Sequence, residues 1–165
     1  MTTAPTPRPD PHVPPTHGIV VGVDGSEPSR LALAWAVRLA RRLDVGVLAL
    51  QVSDDVFTAQ EKGYCTREQA EQWSEQARRE GTRVMQRMLD ELEEDARRVE
   101  VTLDVVPGQP TAELIARSRD AELLVLGPRG MGRLRLLLGS VSLACLQQAN
   151  CPVVIVRNGD ERPPG

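Results

Sequence analysis

Three glycines follow one apolar run of this sequence closely, in the segment VLGPRGMG at residues 125–132, and a Gly-Ser pair follows at 139–140. Glycine lets a backbone approach a ligand closely and adopt positive φ angles. A helix N-terminus adds N–H groups without partners in the helix and the positive end of the helix dipole. The segment therefore suits a phosphate group, although a tight strand-to-helix turn without a ligand explains the same glycines.

Other kinds of site find little support in the composition. Both histidines, His12 and His17, lie in or at the end of a Pro-rich leader, which argues against a histidine-based catalytic or metal site. Cys65, Cys145 and Cys151 lack the spacing of metal or redox motifs, so we expect free, mostly buried thiols. No Gly-Lys-Ser/Thr triplet is present for a P-loop. The 2% aromatic content argues against nucleic-acid modules that stack bases.

The length of 165 residues fits one domain, and the net charge of −3 is typical of a soluble globular protein. We divide the chain into a disordered Pro-rich leader (residues 1–17), an α/β domain (18–157) and a polar tail (158–165). No apolar run reaches the roughly 20 residues of a membrane helix. The leader has no apolar segment typical of a signal peptide, which favours the cytoplasm and no membrane partner.

Predicted strands and helices alternate along the domain. The strands are residues 18–24, 45–52, 99–106, 122–127 and 152–157, and the helices are residues 26–43, 66–98, 111–118 and 139–149. We expect N-caps at Ser26 and Thr111, a bend at Gly81, and an irregular loop over residues 54–65. The apolar stripe of the long helix is Ala70, Trp73, Ala77, Val84, Met88, Leu92 and Ala96. The alternation predicts an open parallel sheet with helices on both faces.

Two polar turns that contain glycine follow predicted strands, at Asp24-Gly25-Ser26 and at residues 127–130. Ligands of open parallel sheets bind beyond the carboxyl ends of the strands, where the winding direction reverses. Because both turns lie at that edge, the sequence favours a nucleotide or phosphate site there.

The motifs at these turns resemble those of the universal stress protein family. They are VGVDGS at residues 21–26, LVLG at 124–127, Arg-Gly at 129–130, GSVS at 139–142 and CPVVIV at 151–156. The resemblance covers residues 18–157. It implies a Rossmann-like sheet with strand order 3-2-1-4-5. In the nucleotide-binding branch of the family it also implies ATP or AMP held between the ends of the first and fourth strands.

The resemblance also assigns roles to particular residues. It implies that Gly22 and Val23 lie beside the adenine, that the backbone of Val52 contacts the base, and that Asp24 faces the ribose or a phosphate-bound Mg²⁺. The residues assigned to the ribose and phosphates are Gly127, Arg129, Gly130, Met131, Gly132, Arg133, Gly139, Ser140, Val141 and Ser142.

Two features depart from the binding branch of the family. Residues 131–138 place eight residues between Gly130 and the Gly-Ser pair, where the branch usually has nine. Pro128 stands where members often carry serine, so one N–H and one hydroxyl are missing. Arg133 and Arg135 offer guanidinium groups that pair well with phosphate, although a solvated basic loop explains them equally.

Three functions remain open at this point. The first is a cytoplasmic stress-response protein that binds adenine nucleotide and signals through an unknown regulatory partner. The second is a dimeric scaffold that binds no nucleotide. The third is a slow ATPase, although we assign no catalytic residue, and Asp24 is a single carboxylate for Mg²⁺.

The last predicted strand indicates how two copies associate. Residues 152–156 are short, apolar and β-branched, and the order of the family puts them at a sheet edge. An exposed edge offers unpaired N–H and C=O groups to another chain. We therefore expect a homodimer through the last strand, and a monomer shielded by its polar tail is the alternative.

Overall fold

A sheet of five parallel strands organises the part of the chain that this computed structural model describes, residues 18–92, 98–128 and 138–157. The strands are β1 (Ile19–Gly22), β2 (Val47–Ser53), β3 (Val101–Pro107), β4 (Leu123–Leu126) and β5 (Val153–Ile155). Their order across the sheet is β3-β2-β1-β4-β5, and every neighbouring pair is parallel. The predicted parallel sheet and its 3-2-1-4-5 order are confirmed.

Five helices connect these strands. They are α1 (Glu27–Leu43), α2 (Asp54–Glu61), α3 (Arg67–Asp90), α4 (Pro110–Arg117) and α5 (Ser140–Gln148). Residues of α1 and α3 form one hydrophobic core with Ile19 and Val21, whereas residues of α4 and α5 form a second core with Val20. Because successive strand side chains point to opposite faces, helices cover both faces of the sheet, as predicted.

The start of α1 follows the sequence prediction. Ser26 has extended backbone angles and its hydroxyl accepts a hydrogen bond from the N–H of Ser29 at 3.3 Å, as an N-cap does. Pro28 occupies the first turn of the helix, where its missing N–H costs nothing. At the other end the chain leaves the helix through Asp44, whose φ is 56°.

The predicted irregular loop over residues 54–65 is wrong, because residues 54–61 form α2. Its sequence begins with two aspartates, which stabilise a helix N-terminus through the dipole. The helix has eight residues, too few for a clear apolar periodicity, and α2 packs against α3. The packing of α2 against α3 therefore stabilises a helix that the sequence pattern alone does not predict.

The long helix is shorter than predicted and buries a different set of residues. It ends at Asp90, whereas the prediction runs to residue 98, and residues 93–97 lie outside the described part. Of the predicted stripe, Ala70, Met88 and Leu92 are buried, but Trp73 is 42% exposed. Met85, which the stripe omits, is buried. Gly81, Met85 and Met88 in the second half of α3 pack on the sheet or its core, whereas Trp73 in the first half belongs to neither hydrophobic core.

Gly81 does not bend α3, which runs through it without interruption. A Cβ atom at this position would lie 2.8 Å from Oε1 of Gln51 and 2.9 Å from Cγ2 of Val105. Glycine is therefore needed because the helix packs closely on β2 and β3. The predicted bend is wrong, and the residue serves close packing.

Two smaller predictions have mixed outcomes. Thr111 is not the N-cap of α4, because Gln109 takes that position and Pro110 opens the helix. The three thiols are free, as predicted, but only Cys145 is buried, whereas Cys65 and Cys151 are half-buried. The predicted leader and tail, residues 1–17 and 158–165, lie outside the described residues.

Candidate functional site

The turn after β1 is fixed by hydrogen bonds to its own aspartate. Oδ1 of Asp24 accepts from the N–H of Ser26 at 3.0 Å and also from the Ser26 hydroxyl. Gly25 between them has a φ of +83°, which favours glycine. Val23 joins the turn to the sheet, because its N–H donates to the carbonyl of Leu50 at 2.9 Å. The Asp24 carboxylate is therefore held in one orientation at the carboxyl end of β1.

Ser29 holds the same turn through two hydrogen bonds of its hydroxyl. Its hydroxyl accepts from the N–H of Asp24 at 3.3 Å and donates to the carbonyl of Ser26 at 2.9 Å. The side chain is 3% exposed. A buried hydroxyl thus ties the first turn of α1 to the backbone of Asp24.

The end of β4 packs directly on the start of α1. A Cβ atom at Gly127 would lie 3.0 Å from the carbonyl carbon, the carbonyl oxygen and Cβ of Pro28. A side chain at this position would push Pro28 away, so glycine favours this close contact. Gly127, the first residue of the second predicted turn, therefore lies beside the start of α1 at the carboxyl rim, by which we mean the edge of the sheet formed by the carboxyl ends of its strands.

Helix α5 begins against the same strand end. The N–H of Gly139, its N-cap residue, donates to the carbonyl of Pro128 at 2.7 Å. The hydroxyl of Ser142 donates to the carbonyl of Gly127 at 2.8 Å. The first carbonyl to accept within the helix is that of Gly139, from the N–H of Leu143. The earlier N–H groups, at residues 140–142, have no acceptor inside the helix.

The remaining predicted residues near the rim differ in what they can offer a ligand. Val23 is buried in the core on the α1 side, and Gly22 is half-buried opposite Leu50. Val52 is half-buried and packs against the core on the α4 side. These three residues can therefore contact a ligand through their backbone rather than their side chains. Ser140 is exposed and Val141 is half-buried.

Most of the glycine-rich segment at residues 127–133 lies outside the residues that the structure describes. Arg129, Gly130, Met131, Gly132 and Arg133 lie outside the described residues, as does Arg135. The eight-residue spacing after Gly130 falls in the same segment. The roles that the resemblance gives to these residues stay predictions.

Three titratable groups have pKa values displaced by their surroundings. A hydrogen bond from Arg30 lowers the pKa of Glu27 in the first turn of α1. Burial raises the pKa of the Cys145 thiol and, to a degree opposed by backbone hydrogen bonds, that of Cys151. Both thiols are therefore protonated at neutral pH, as expected of unreactive cysteines.

Sequence reasoning missed the supporting residues of the rim. No role at the site is predicted from the sequence for Pro28 or Ser29. The spacing of Ser29, three residues after the N-cap, was the available signal, because side chains at that position commonly return to the cap. The contact between Pro28 and Gly127 has no local signal, since the two residues are 99 positions apart in the sequence.

The fold and the rim define an α/β protein with an open parallel sheet, in which the end of β4 packs on the start of α1 where the strand order reverses. The family model described as the universal stress protein family matches residues 16–157. The chain belongs to the universal stress protein family.

Curated relatives agree with this assignment. Universal stress protein Rv2623 of Mycobacterium tuberculosis is 36% identical over 143 residues, which cover 84% of this chain and 44% of that protein. Universal stress protein Mb2028c of Mycobacterium bovis is 32% identical over 149 residues, covering 87% and 49%. The chain therefore spans about half the length of the curated relatives it matches.

Solved structures share the fold. Universal stress protein UspA from Lactobacillus plantarum matches with a TM-score of 0.65 and 23% identity, over 87% of this chain and 99% of that one. A universal stress protein in complex with cAMP matches at 0.58 and 20%, over 87% and 98%. One from Archaeoglobus fulgidus in complex with dAMP matches at 0.55 and 19%, over 84% and 96%. None of the helices in the described part of this chain has the length and apolar character to cross a membrane.

Proposed function

We propose that this protein is a cytoplasmic stress-response regulator that binds adenine nucleotide, ATP or AMP, at the carboxyl rim between β1 and β4. The contact between Gly127 and Pro28 carries the proposal, because it brings the end of β4, against which α5 begins, next to the start of α1, which follows the Asp24 turn. Two fold neighbours that hold cAMP and dAMP support the choice of an adenine nucleotide.

The start of α5 is the proposed phosphate end of the site. The N–H groups of Ser140 and Val141 lack acceptors in the helix, and the positive end of its dipole lies there. Ser140 is exposed and adds a hydroxyl. A phosphate group would satisfy these donors, and the family resemblance implies a further contribution from the backbone around Gly130.

The other end of the proposed site is the edge of β1 and β2. Backbone groups of Gly22, Val23 and Val52 would contact the adenine, and Asp24 would face the ribose. The hydrogen bonds from Ser26 to Asp24 support this role, because they fix the orientation of the carboxylate before any ligand binds. A fixed acceptor loses little entropy on binding.

Any Mg²⁺ in this site would depend mainly on the nucleotide. Among the described residues, no group of three or more His, Cys, Asp or Glu side chains could hold a metal ion. Asp24 offers a carboxylate at the end of β1, and its Oδ1 already accepts two hydrogen bonds. Mg²⁺ is commonly held by one carboxylate together with phosphates and water, so the donor set fits an ion that arrives with ATP.

The substitution Ser140→Glu tests the phosphate end. A carboxylate in the first turn of a helix stabilises that helix, but at this position it would repel phosphate. We expect a melting temperature at or above that of the wild type, together with ATP affinity at least about tenfold weaker, as a repulsion of about 1.4 kcal/mol would give. Isothermal titration calorimetry with ATP and with AMP measures the affinity.

The matched control is Ala112→Glu, which adds the same charge to the exposed first turn of α4. It should leave ATP affinity unchanged. Wild-type affinity weaker than millimolar for both nucleotides would reject the proposal and support the scaffold function. Steady release of phosphate from bound ATP would instead support the slow ATPase.

The second part of the proposal is a homodimer through β5. The two edges of the sheet differ in their protection against pairing. On β3, Asp104 forms an ion pair with Arg117 at 3.3 Å, and Pro107 ends the strand. Charged residues and prolines at an edge strand commonly prevent pairing with another chain. The strand β5 contains only valine and isoleucine. Leu143 and Leu146 of the adjacent α5 are also exposed and would extend an apolar interface.

A further inference from the structure

Three polar side chains are buried in the described part of the chain, and all three are serines. They are Ser29, Ser118 and Ser142. Buried hydroxyls are costly unless they are hydrogen-bonded, so the partners of each serine show what it holds together. Two of the three, Ser29 and Ser142, lie directly behind the carboxyl rim.

Ser142 joins α5 to the end of β4. The side chain is 5% exposed and its hydroxyl donates to the carbonyl of Gly127, fifteen residues away. Together with the bond from Gly139 to Pro128, it attaches the first turn of α5 to the strand end at two points. The family resemblance implies direct contact with phosphate for Ser142. Its burial and its bond to Gly127 instead put the hydroxyl behind the N–H groups that face the rim.

Ser29 has the corresponding place on the other side of the contact. It holds the backbone of Asp24 and follows Pro28, the residue on which Gly127 packs. The two serines therefore fix both partners of the Gly127–Pro28 contact. Any shift of α5 against β4 would move its first N–H groups relative to the Asp24 turn.

We infer that Ser142 is a positioning residue of the proposed nucleotide site: it sets the place of the α5 N-terminus through the Gly127 carbonyl rather than binding phosphate itself. The inference rests on the proposed function. Hydrogen bonds weaken steeply with distance and angle, so a small displacement of the donors lowers affinity although no ligand contact is deleted.

The substitution Ser142→Ala, compared with Ser118→Ala, tests this inference. Ser118 is fully buried, donates to the carbonyl of Ile115 at 2.7 Å and accepts from the N–H of Asn150 at 3.0 Å. It follows α4 at the opposite end of the sheet. Both variants should lose stability, but only Ser142→Ala should weaken ATP binding, by about tenfold, because the displaced N–H groups of α5 would bind phosphate with poorer geometry. Ser142→Thr keeps the hydroxyl and should restore the affinity.

Amide hydrogen exchange in the ligand-free protein separates positioning from direct contact. If Ser142 positions α5, its alanine variant exchanges faster than the wild type at the amides of Gly139 and Leu143, whereas Ser118→Ala does not. A hydroxyl that merely contacted phosphate would leave these two amides unchanged. Ser142→Cys, of similar size but with a weaker donor, provides the same comparison if the alanine variant does not fold.

The outcomes also separate this inference from the proposed function. If the wild type binds ATP and Ser142→Ala binds it equally well, the positioning role is overturned and the nucleotide site stands. Unchanged exchange at Gly139 and Leu143 overturns it as well. A wild type without affinity for ATP or AMP rejects the nucleotide site, and the inference with it.

Discussion

Close packing explains why glycine occupies two positions in this protein. Gly127 is needed for the approach of Pro28, and Gly81 for the approach of Gln51 and Val105. Gly127 belongs to a motif that suggests a ligand, and its place in the structure also has a packing reason. A glycine-rich motif can therefore combine ligand contact with close packing of elements.

Gly81→Ala is expected to destabilise the protein, although alanine is a better helix former by about 1 kcal/mol. The new Cβ would lie too close to Gln51 and Val105, and overpacking of this kind costs about 1–3 kcal/mol. Urea denaturation measures the net change in the free energy of unfolding. Adding Gln51→Ala should recover part of the loss, because it removes one of the two close contacts and breaks no hydrogen bond of Oε1 with the described residues. A stabilised single variant would contradict the packing argument.

At the scale of elements, α3 consists of two halves with different support. The second half contributes Gly81, Met85 and Met88 to buried contacts, whereas Ala70 is the one buried residue of the first half. A capping box starts the helix: the Thr66 hydroxyl accepts from Gln69 N–H at 3.3 Å, and the Gln69 side chain accepts from Thr66 N–H at 2.9 Å. Local capping therefore carries much of the stability of the first half.

Thr66→Ala removes the cap and should cost about 1 kcal/mol of helix stability. Because the first half of α3 is loosely attached to the core, we expect the loss to appear as local opening. Hydrogen exchange should accelerate at the amides of residues 69–73 and remain slow at Met85 and Met88. Equal acceleration in both halves would mean that α3 opens as one unit.

At the scale of the whole molecule, the proposed dimer depends on the outward N–H groups of β5. Val156 donates to Leu126 in β4, so by alternation the N–H groups of Val153 and Ile155 point to the open edge. Ile155→Pro removes one of them without touching the bonds to β4 and should give a monomer. Light scattering at tens of micromolar measures the mass.

Leu103→Pro is the matched control on the other edge. Val47 donates to residue 100, so the N–H of Leu103 points away from β2 in the same way. This variant should lose comparable stability and keep the dimer mass. A monomeric wild type, or a monomer produced by both variants, would contradict pairing through β5.

The sequence predicted those parts of the molecule whose signals are local or carried by family motifs. The strands, the Ser26 cap and the strand order follow from apolar runs, turn residues and the resemblance. The second helix was missed because its stability comes from α3, and Trp73 was misplaced because periodicity does not show where the sheet ends. At the rim, the motif residues were found, but the bond of Ser142 and the contact of Pro28 connect segments distant in the sequence.

The two tryptophans give the protein a pair of natural optical reporters. Trp35 is 7% exposed within the core, whereas Trp73 is 42% exposed on the first half of α3. Their indole rings therefore experience different polarity, and a dissolved quencher reaches one far more readily than the other. Intrinsic fluorescence can thus follow the detachment of the α2–α3 pair separately from the loss of the core, without any added label.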